Sequence, residues 1–235
     1  MSAEMTNRYL NQDYARMHPT WHVEHSAWKA RHVLAMLTRH SISPGTVCEI
    51  GCGAGEILKQ LHDALPDHVR FVGYDISPQA HALSLTRASD RIEFRLEGFP
   101  SAAEPAADLL LLMDVLEHVE DYYGFLRAIR PHGHYKIFHI PLDVSAVAVL
   151  RGNFFDAVRV SAGHIHYFSR QTAIAALRDA GYEVLDWRYT GSAIDFPATS
   201  WKMRLARAPR RALFALCPEL AVRLLGGFSA LVLAR

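Results

Sequence analysis

Cysteine is scarce in this sequence of 235 residues, with only three in the whole chain. Cys48 and Cys52 lie in a glycine-rich stretch and Cys217 stands far from both, so neither a disulfide framework nor a cysteine-based zinc site is expected. The histidines are more numerous but scattered, without an H-E-x-x-H motif, and we therefore predict no metal site. Unpaired cysteines fit a reducing compartment, and we expect a cytoplasmic protein.

Long apolar runs and a strong net charge are also absent. No stretch reaches the roughly 18 apolar residues of a transmembrane helix, and the first residues lack the apolar core of a signal peptide, so no membrane partner is expected. The formal net charge of +1 gives no general attraction for nucleic acid. Hydrophobic residues make up 50% of the chain, which is enough for one large buried core.

Short apolar runs of strand type alternate with helical patterns along the chain. This alternation predicts an α/β fold in which a mostly parallel, doubly wound sheet is covered by helices on both faces. The seven predicted strands are residues 46–51, 69–76, 92–97, 108–114, 135–140, 182–189 and 229–234. The helical patterns are residues 26–40, 56–65, 121–129 and 169–180, with a further helix that begins at Ser77 and Pro78.

We predict a single domain over residues 1–235, with a helical segment at residues 1–45. Two segments break the alternation, residues 143–168 and 191–227, and such segments at the ends of a sheet usually form a lid or a partner surface. The second segment contains an arginine-rich stretch at residues 201–211. This stretch is interpreted as a solvated face, a clamp for an anionic acceptor, or an interface such as that of a homodimer through residues 191–227.

The sharpest motif is E-I-G-C-G-A-G, which begins at Glu49 and ends at Gly55. A predicted strand runs into this turn and a helix follows it. Glycine permits unusual backbone angles and close approach of a ligand, and the helix N-terminus adds unpaired N–H donors. A tight corner without a ligand is the alternative. A nicotinamide dinucleotide enzyme is disfavoured because its third glycine would fall at Glu56, and a carboxylate before the turn suits an ammonium group rather than a pyrophosphate.

Two acidic segments follow the glycine turn. Asp75 ends the second strand about two dozen residues later, where a carboxylate commonly binds a ribose diol, although an acidic turn residue is the alternative. The segment D-V-L-E-H-V begins at Asp114 and follows the fourth strand, at the ligand-binding edge of an open parallel sheet. Its alternative is a structural one, in which Glu117 and His118 only cap a helix.

Residues 46–121, which contain these three motifs in order, resemble the core of the class I S-adenosylmethionine-dependent methyltransferases. The resemblance implies the Rossmann-like fold of that family, in which the last strand runs antiparallel between the fifth and the sixth. It also implies S-adenosyl-L-methionine as cofactor, S-adenosyl-L-homocysteine as product, and methyl transfer to an oxygen, nitrogen or carbon atom.

The resemblance further implies roles for single residues. The glycine turn and Glu49 would surround the methionine part of the cofactor, Asp75 would hold the ribose hydroxyls, and the segment that begins at Asp114 would line the reactive end. The predicted cofactor-binding residues are Glu49, Gly51, Cys52, Gly53, Gly55, Asp75, Ile76, Ser77, Gly98, Phe99, Asp114, Val115, Leu116 and His118.

One departure from the family pattern concerns the adenine. The family often has an acidic residue after the third strand to bind the adenine amino group. Here Gly98 stands near that place. Either Glu97 substitutes for the acidic residue, or the backbone around Gly98 and Phe99 makes the contact.

The acceptor pocket is expected to form from the N-terminal segment, the end of the fifth strand and the segment before Ser169. Its predicted residues are Tyr14, Trp28, His164 and Tyr167. His139 or His166 is the predicted general base, because imidazole titrates near neutral pH, although positioning alone can drive methyl transfer. Core packing of the aromatic residues and solvation of the histidines are the alternatives.

These observations predict a methyltransferase with a small-molecule acceptor. The alternatives are a methyltransferase for a macromolecule, such as a saccharide chain, protein or RNA, and an inactive cofactor-binding regulatory protein.

Overall fold

Seven strands form one sheet in the computed structural model, which describes residues 16–99, 104–196 and 201–235. The strands are β1 (Thr46–Ile50), β2 (Arg70–Tyr74), β3 (Ile92–Arg95), β4 (Ala107–Met113), β5 (Gly133–Pro141), β6 (Val184–Thr190) and β7 (Ser229–Ala234). Their order is β3-β2-β1-β4-β5-β7-β6, and β7 runs antiparallel to both β5 and β6. The predicted seven-stranded, doubly wound sheet and its antiparallel last strand are thus confirmed.

Ten α-helices occur in the described parts of the chain. They are α1 (Val23–Arg39), α2 (Glu56–Ala64), α3 (Pro78–Ser84), α4 (Tyr122–Ile129), α5 (Ala146–Leu150), α6 (Phe154–Ser161), α7 (Arg170–Asp179), α8 (Ser192–Asp195), α9 (Trp201–Leu216) and α10 (Pro218–Leu225). Short 3₁₀ turns lie at Leu85–Arg87, Leu116–His118 and Arg130–His132.

The apolar run of β4 shows why the sheet is buried on both faces. Leu109 and Leu111 belong to one hydrophobic cluster, and Leu110 and Leu112 belong to the other. Successive side chains of a strand point to opposite faces, so an unbroken apolar strand needs a helix layer on each side.

Helix starts follow the capping residues in the sequence. The Ser77 side chain accepts a hydrogen bond from Ala80 N at 3.4 Å and Pro78 takes the first helical position of α3. At α7, Ser169 and Thr172 form a reciprocal capping box. The observed strand boundaries differ from the predicted ones by up to two residues, and β6, for example, begins at Val184. Tyr182, just before it, is buried, and its hydroxyl donates to Leu126 O at 2.6 Å.

The two segments that break the alternation contain short helices. Residues 143–168 hold α5 and α6, and residues 191–227 hold α8, α9 and α10. Helix α10 packs against both α5 and α9, so the two segments meet. Among the described residues, none of the helices combines the length and the apolar character that a membrane crossing requires.

Candidate functional site

A cavity of about 790 Å³ lies at the carboxyl ends of the parallel strands. Its lining includes residues that directly follow β1, β2 and β4, residues at the end of β5, and side chains from α1 and from the two added segments. This edge is where ligands bind in open parallel sheets, because the strand ends and the following helix N-termini leave polar groups exposed there.

The glycine turn reaches the cavity through Gly51, Cys52 and Gly53, but Gly55 does not line it. A Cβ built on Gly53 would meet only Trp21 Cε3, at 3.8 Å, so this face of the turn is open to a ligand. A Cβ on Gly55 would lie 2.4 Å from Phe94 Cζ. Gly55 therefore has a packing role, whereas Gly53 allows close approach to the backbone.

Asp75 connects the second strand to the glycine turn. Its Oδ2 accepts a hydrogen bond from Gly53 N and its Oδ1 accepts one from Ser77 N, both at 2.8 Å. Burial raises the pKa of the Asp75 carboxyl, and the two backbone donors oppose that shift. The residue lines the cavity and keeps carboxylate lone pairs for a ligand.

Glu49 is a buried carboxyl at the cavity wall, with 1% of its surface exposed. Its Oε2 has no hydrogen-bond partner among the described residues. Burial raises the Glu49 pKa to about 8, Asp75 adds to the shift, and Lys29 opposes it. A buried carboxyl oxygen without a donor is costly, so this position fits a ligand that brings a positive amino group.

A charged network lies beside Glu49 around Asp114. Its Oδ1 accepts from His139 Nδ1 at 2.5 Å and its Oδ2 pairs with Lys29 Nζ at 2.7 Å. Burial alone would raise the pKa of Asp114, but His139 and Lys29 outweigh it and hold the pKa well below its usual range. His139 Nε2 lies 2.8 Å from Thr190 Oγ1, so both nitrogens of this ring bind protein groups.

Lys29 was not predicted from the sequence. It lies on α1 among the buried residues Trp28, Ala30 and Val33, with 13% of its side chain exposed. A lysine on the apolar face of a predicted helix is the signal that could have identified it, because such a charge needs a partner.

The predicted acceptor residues divide into two groups. Trp28 and His164 line the cavity, and Trp28 Nε1 donates to Asp195 Oδ2 at 2.8 Å. Tyr167 and His166 do not line it. The Tyr167 hydroxyl donates to Phe155 O, and His166 Nε2 donates to Glu120 O, each at 3.0 Å. Tyr14 lies outside the described residues.

The remaining predicted cofactor residues also divide. Those at the cavity are Ile76, Gly98, Phe99, Val115 and His118. Ser77 is fully buried as the cap of α3, and Leu116 is part of the hydrophobic core, so neither reaches the cavity. Glu97 is exposed and does not line the cavity either.

Glu117 is a second residue that the sequence did not single out for ligand contact. It is fully buried at the cavity, and neither carboxyl oxygen has a hydrogen-bond partner among the described residues. Burial, followed by the charge of Asp114, raises the pKa of Glu117 well above its ordinary value.

A family model described as "Methyltransferase domain" matches residues 21–186, well over half of the chain. A comparison with curated proteins gave no match.

Solved structures with the same fold are numerous. The methyltransferase bound to the Trm112 activator in a Haloferax volcanii complex is 18% identical, with 95% of this chain and 94% of that chain covered and a TM-score of 0.62. Magnesium protoporphyrin IX methyltransferase from Synechocystis PCC 6803, with bound S-adenosylhomocysteine, is 16% identical over 89% and 82%, with a TM-score of 0.58. The cyclase SpnF is 18% identical over 88% and 80%, with a TM-score of 0.60.

Proposed function

Because the chain belongs to the methyltransferase-domain family, we propose that it is a class I S-adenosylmethionine-dependent methyltransferase whose acceptor is a small molecule with an acidic group. The cofactor supplies an electrophilic methyl group on a sulfonium. The residues of this chain bind the cofactor, orient the acceptor and exclude water.

The cofactor half of the proposal depends on Glu49 and Asp75. The orphaned carboxyl of Glu49 binds the ammonium of the methionine part, and Asp75 binds the ribose hydroxyls. Phe99 and Ile76, which line the same cavity, pack against the adenine. Gly53 gives the cofactor access to the turn, because its Cβ position is open.

One observation carries the acceptor half: Arg151 and Arg210 line the same cavity as Glu49 and Asp75. Arg210 Nε is buried without a hydrogen-bond partner among the described residues, while its Nη2 donates to Leu225 O at 3.2 Å. Burial and the nearby charge of Arg151 lower the pKa of Arg210. Neither guanidinium group pairs with a carboxylate of the described residues. Two such groups at one cavity favour an anionic group on the acceptor, because hydrogen bonds between charged groups are the strongest.

The shape of the cavity favours a small acceptor. Residues of both added segments line it, including Phe154 from the first and Phe196 from the second. A volume of about 790 Å³ lies within the range of small-molecule sites. We therefore assign residues 143–168, 191–196 and 201–227 to the cover of the acceptor site. Positioning the acceptor under such a cover supplies much of the rate acceleration of a displacement.

The histidines have different places in this proposal. His139 uses both ring nitrogens on Asp114 and Thr190, so it positions Asp114 rather than serving as a free base. His166 is directed to Glu120 O and away from the cavity.

Methyl-labelled S-adenosylmethionine tests the proposal. The protein is incubated with a cell extract that has been separated into small-molecule and macromolecular fractions, and the labelled products are identified by mass spectrometry. Label in an acidic small molecule supports the proposal. Label confined to protein, RNA or saccharide chains, or cofactor binding without any transfer, would overturn it.

A further inference from the structure

Three metal-ligand side chains meet at one wall of the cavity. Glu117, His118 and His164 can each offer one ligand atom, and these atoms all lie within 4.8 Å of one another. All three residues line the cavity. We propose that they bind one divalent transition-metal cation of the zinc type, with an open coordination position that faces the acceptor. This site goes beyond the proposed function and departs from the expectation, drawn from the sequence, of no metal site.

Glu117 supplies the first independent reason. Its side chain is fully buried, yet neither Oε1 nor Oε2 has a hydrogen-bond partner among the described residues. Lys29 and His139 both bind Asp114, and His118 Nε2 lies 3.8 Å from Glu117 Oε1, beyond hydrogen-bonding distance. A buried carboxyl without donors is expensive, and a bound cation removes that cost.

The hydrogen bonds of the two imidazoles supply the second reason. His118 Nδ1 donates to the carbonyl of Gly163 at 3.0 Å, and His164 Nδ1 donates to Asp143 Oδ2 at 2.6 Å. Because carbonyl and carboxylate oxygens only accept, the proton of each neutral ring is on Nδ1 and the lone pair is on Nε2. Histidines that bind metals almost always donate their other nitrogen to such a carbonyl or carboxylate.

The distances require little adjustment of the side chains. Glu117 Oε1 lies 3.8 Å from His118 Nε2, and the two imidazole rings are 5.2 Å apart in an edge-to-face arrangement. Zinc–ligand distances of about 2.0–2.2 Å place neighbouring tetrahedral ligands roughly 3.4 Å apart. Small rotations of the side chains are therefore enough to close the site around one ion.

The donor set selects the kind of cation. Two neutral imidazoles and one carboxylate form the ligand set of several catalytic zinc sites, which leave the fourth position for water or substrate. Magnesium and calcium prefer oxygen ligands and are disfavoured here. An oxygen or nitrogen of the acceptor bound at the fourth position would be oriented by the ion.

A second cluster of similar residues serves as the control. His22, Glu24 and His25 can also bring three ligand atoms together. Glu24 is exposed, however, and its Oε2 already accepts from Thr20 Oγ1 at 3.0 Å. Nothing at this cluster corresponds to the buried, orphaned carboxyl of Glu117.

Calorimetry with Zn²⁺ alone, on full-length protein freed of metal by a chelator, tests the site without the methyl donor, so its failure is distinct from failure of the proposed function. The wild type should bind one Zn²⁺. Glu117→Gln and His164→Gln should lose at least a hundredfold in affinity, and Asp143→Asn about 10–100-fold, the usual effect of removing an outer partner. His22→Gln should bind Zn²⁺ like the wild type.

Substitution with Co²⁺ gives a spectroscopic readout of the ligand geometry. A tetrahedral cobalt spectrum in the wild type supports the site, and its loss in Asp143→Asn would support the role of the outer carboxylate. The proposal is overturned if the folded wild type binds no Zn²⁺, or if His22→Gln abolishes binding while Glu117→Gln leaves it unchanged.

Discussion

Asp114 and His139 join the ends of two adjacent strands through a hydrogen bond of 2.5 Å between Oδ1 and Nδ1. Asp114 also has a positive φ of 63°, which is unusual for a residue with a side chain. Its carboxylate is fixed between His139 and Lys29, which come from β5 and α1. These contacts join α1 to the edge of the sheet that borders the cavity.

Replacing Asp114 by Asn should destabilise the protein by about 3 kcal/mol, since it leaves the buried Lys29 without its counter-charge. The pKa of Asp114 is depressed in the folded state, so its contribution is present at neutral pH and is lost as the pH falls below about 4, its ordinary value. Urea denaturation at several pH values measures both effects.

The double variant Lys29→Met/Asp114→Asn is the control for this pair. It should recover part of the stability that Asp114→Asn loses. Strictly additive losses in the double-mutant cycle would contradict the coupling.

The glycine turn allows a matched comparison. Gly53→Val should abolish binding of S-adenosylhomocysteine, because its Cβ position faces the open cavity. Its loss of stability should come from backbone strain, since Gly53 has a positive φ of 54°, and Gly55→Val shares that cost at a φ of 77°. Gly55→Val should lose about 1–3 kcal/mol more of stability, because its Cβ would overlap Phe94. Thermal unfolding and calorimetry separate the two effects. Normal cofactor binding by Gly53→Val would show that the turn is only a structural corner.

Binding of S-adenosylhomocysteine should depend on pH through Glu49. The free carboxyl has a pKa of about 8, and the bound ammonium requires its ionised form, so binding below that pH releases a proton. The affinity should rise with pH until about 8 and should fall again at higher pH, where the ammonium of the ligand loses its proton. Calorimetry in two buffers of different ionisation enthalpy counts the released proton.

Glu49→Gln is the control for this titration, and it should bind more weakly and without the rise in affinity toward the Glu49 pKa. A wild-type affinity that stays constant from one unit below to one unit above the Glu49 pKa would rule out the assigned contact.

Arg210→Gln should raise the KM for the acceptor about 10–150-fold, the range for a hydrogen bond to a charged group, while the affinity for S-adenosylhomocysteine stays the same. Arg207→Gln on the same helix is the matched control, because Arg207 donates to Ile194 O and Asp195 O and does not line the cavity. Its KM for the acceptor should match the wild type. Equal effects of the two variants on KM would argue against an anionic acceptor at Arg210.

Much of the fold and the cofactor edge could be predicted from local pattern. The strands are largely apolar runs, Glu49 lies near the end of β1, and Asp75 and Asp114 directly follow β2 and β4, so topology alone places these three residues at one edge of the sheet. Lys29 was missed because its role depends on its ion pair with Asp114, which forms only in the folded chain. Glu117 was missed because its buried oxygens, without partners among the described residues, are visible only in the structure.

Residues 163–169 show a second reason why sequence-based prediction falls short. His164 and His166 would share one side of a regular extended stretch, yet only His164 lines the cavity. The segment pairs with no strand, and its backbone instead donates from Ile165 N and His166 N to Glu117 O. Side chains alternate regularly between two faces only where the backbone is held as a β-strand in a sheet. This segment is not held in that way, so the direction of each side chain depends on its own contacts.

Isothermal titration calorimetry with S-adenosylhomocysteine tests the cofactor assignment most directly. The wild type should bind one molecule, NAD should not bind, and Asp75→Ala should bind S-adenosylhomocysteine about 1.5–3 kcal/mol more weakly. Because Asp75 also accepts from Gly53 N and Ser77 N, circular dichroism must show that the variant is folded, and Asp75→Asn serves as the conservative form. The assignment would be contradicted if the folded wild type does not bind S-adenosylhomocysteine, or if folded Asp75→Ala binds it with unchanged affinity.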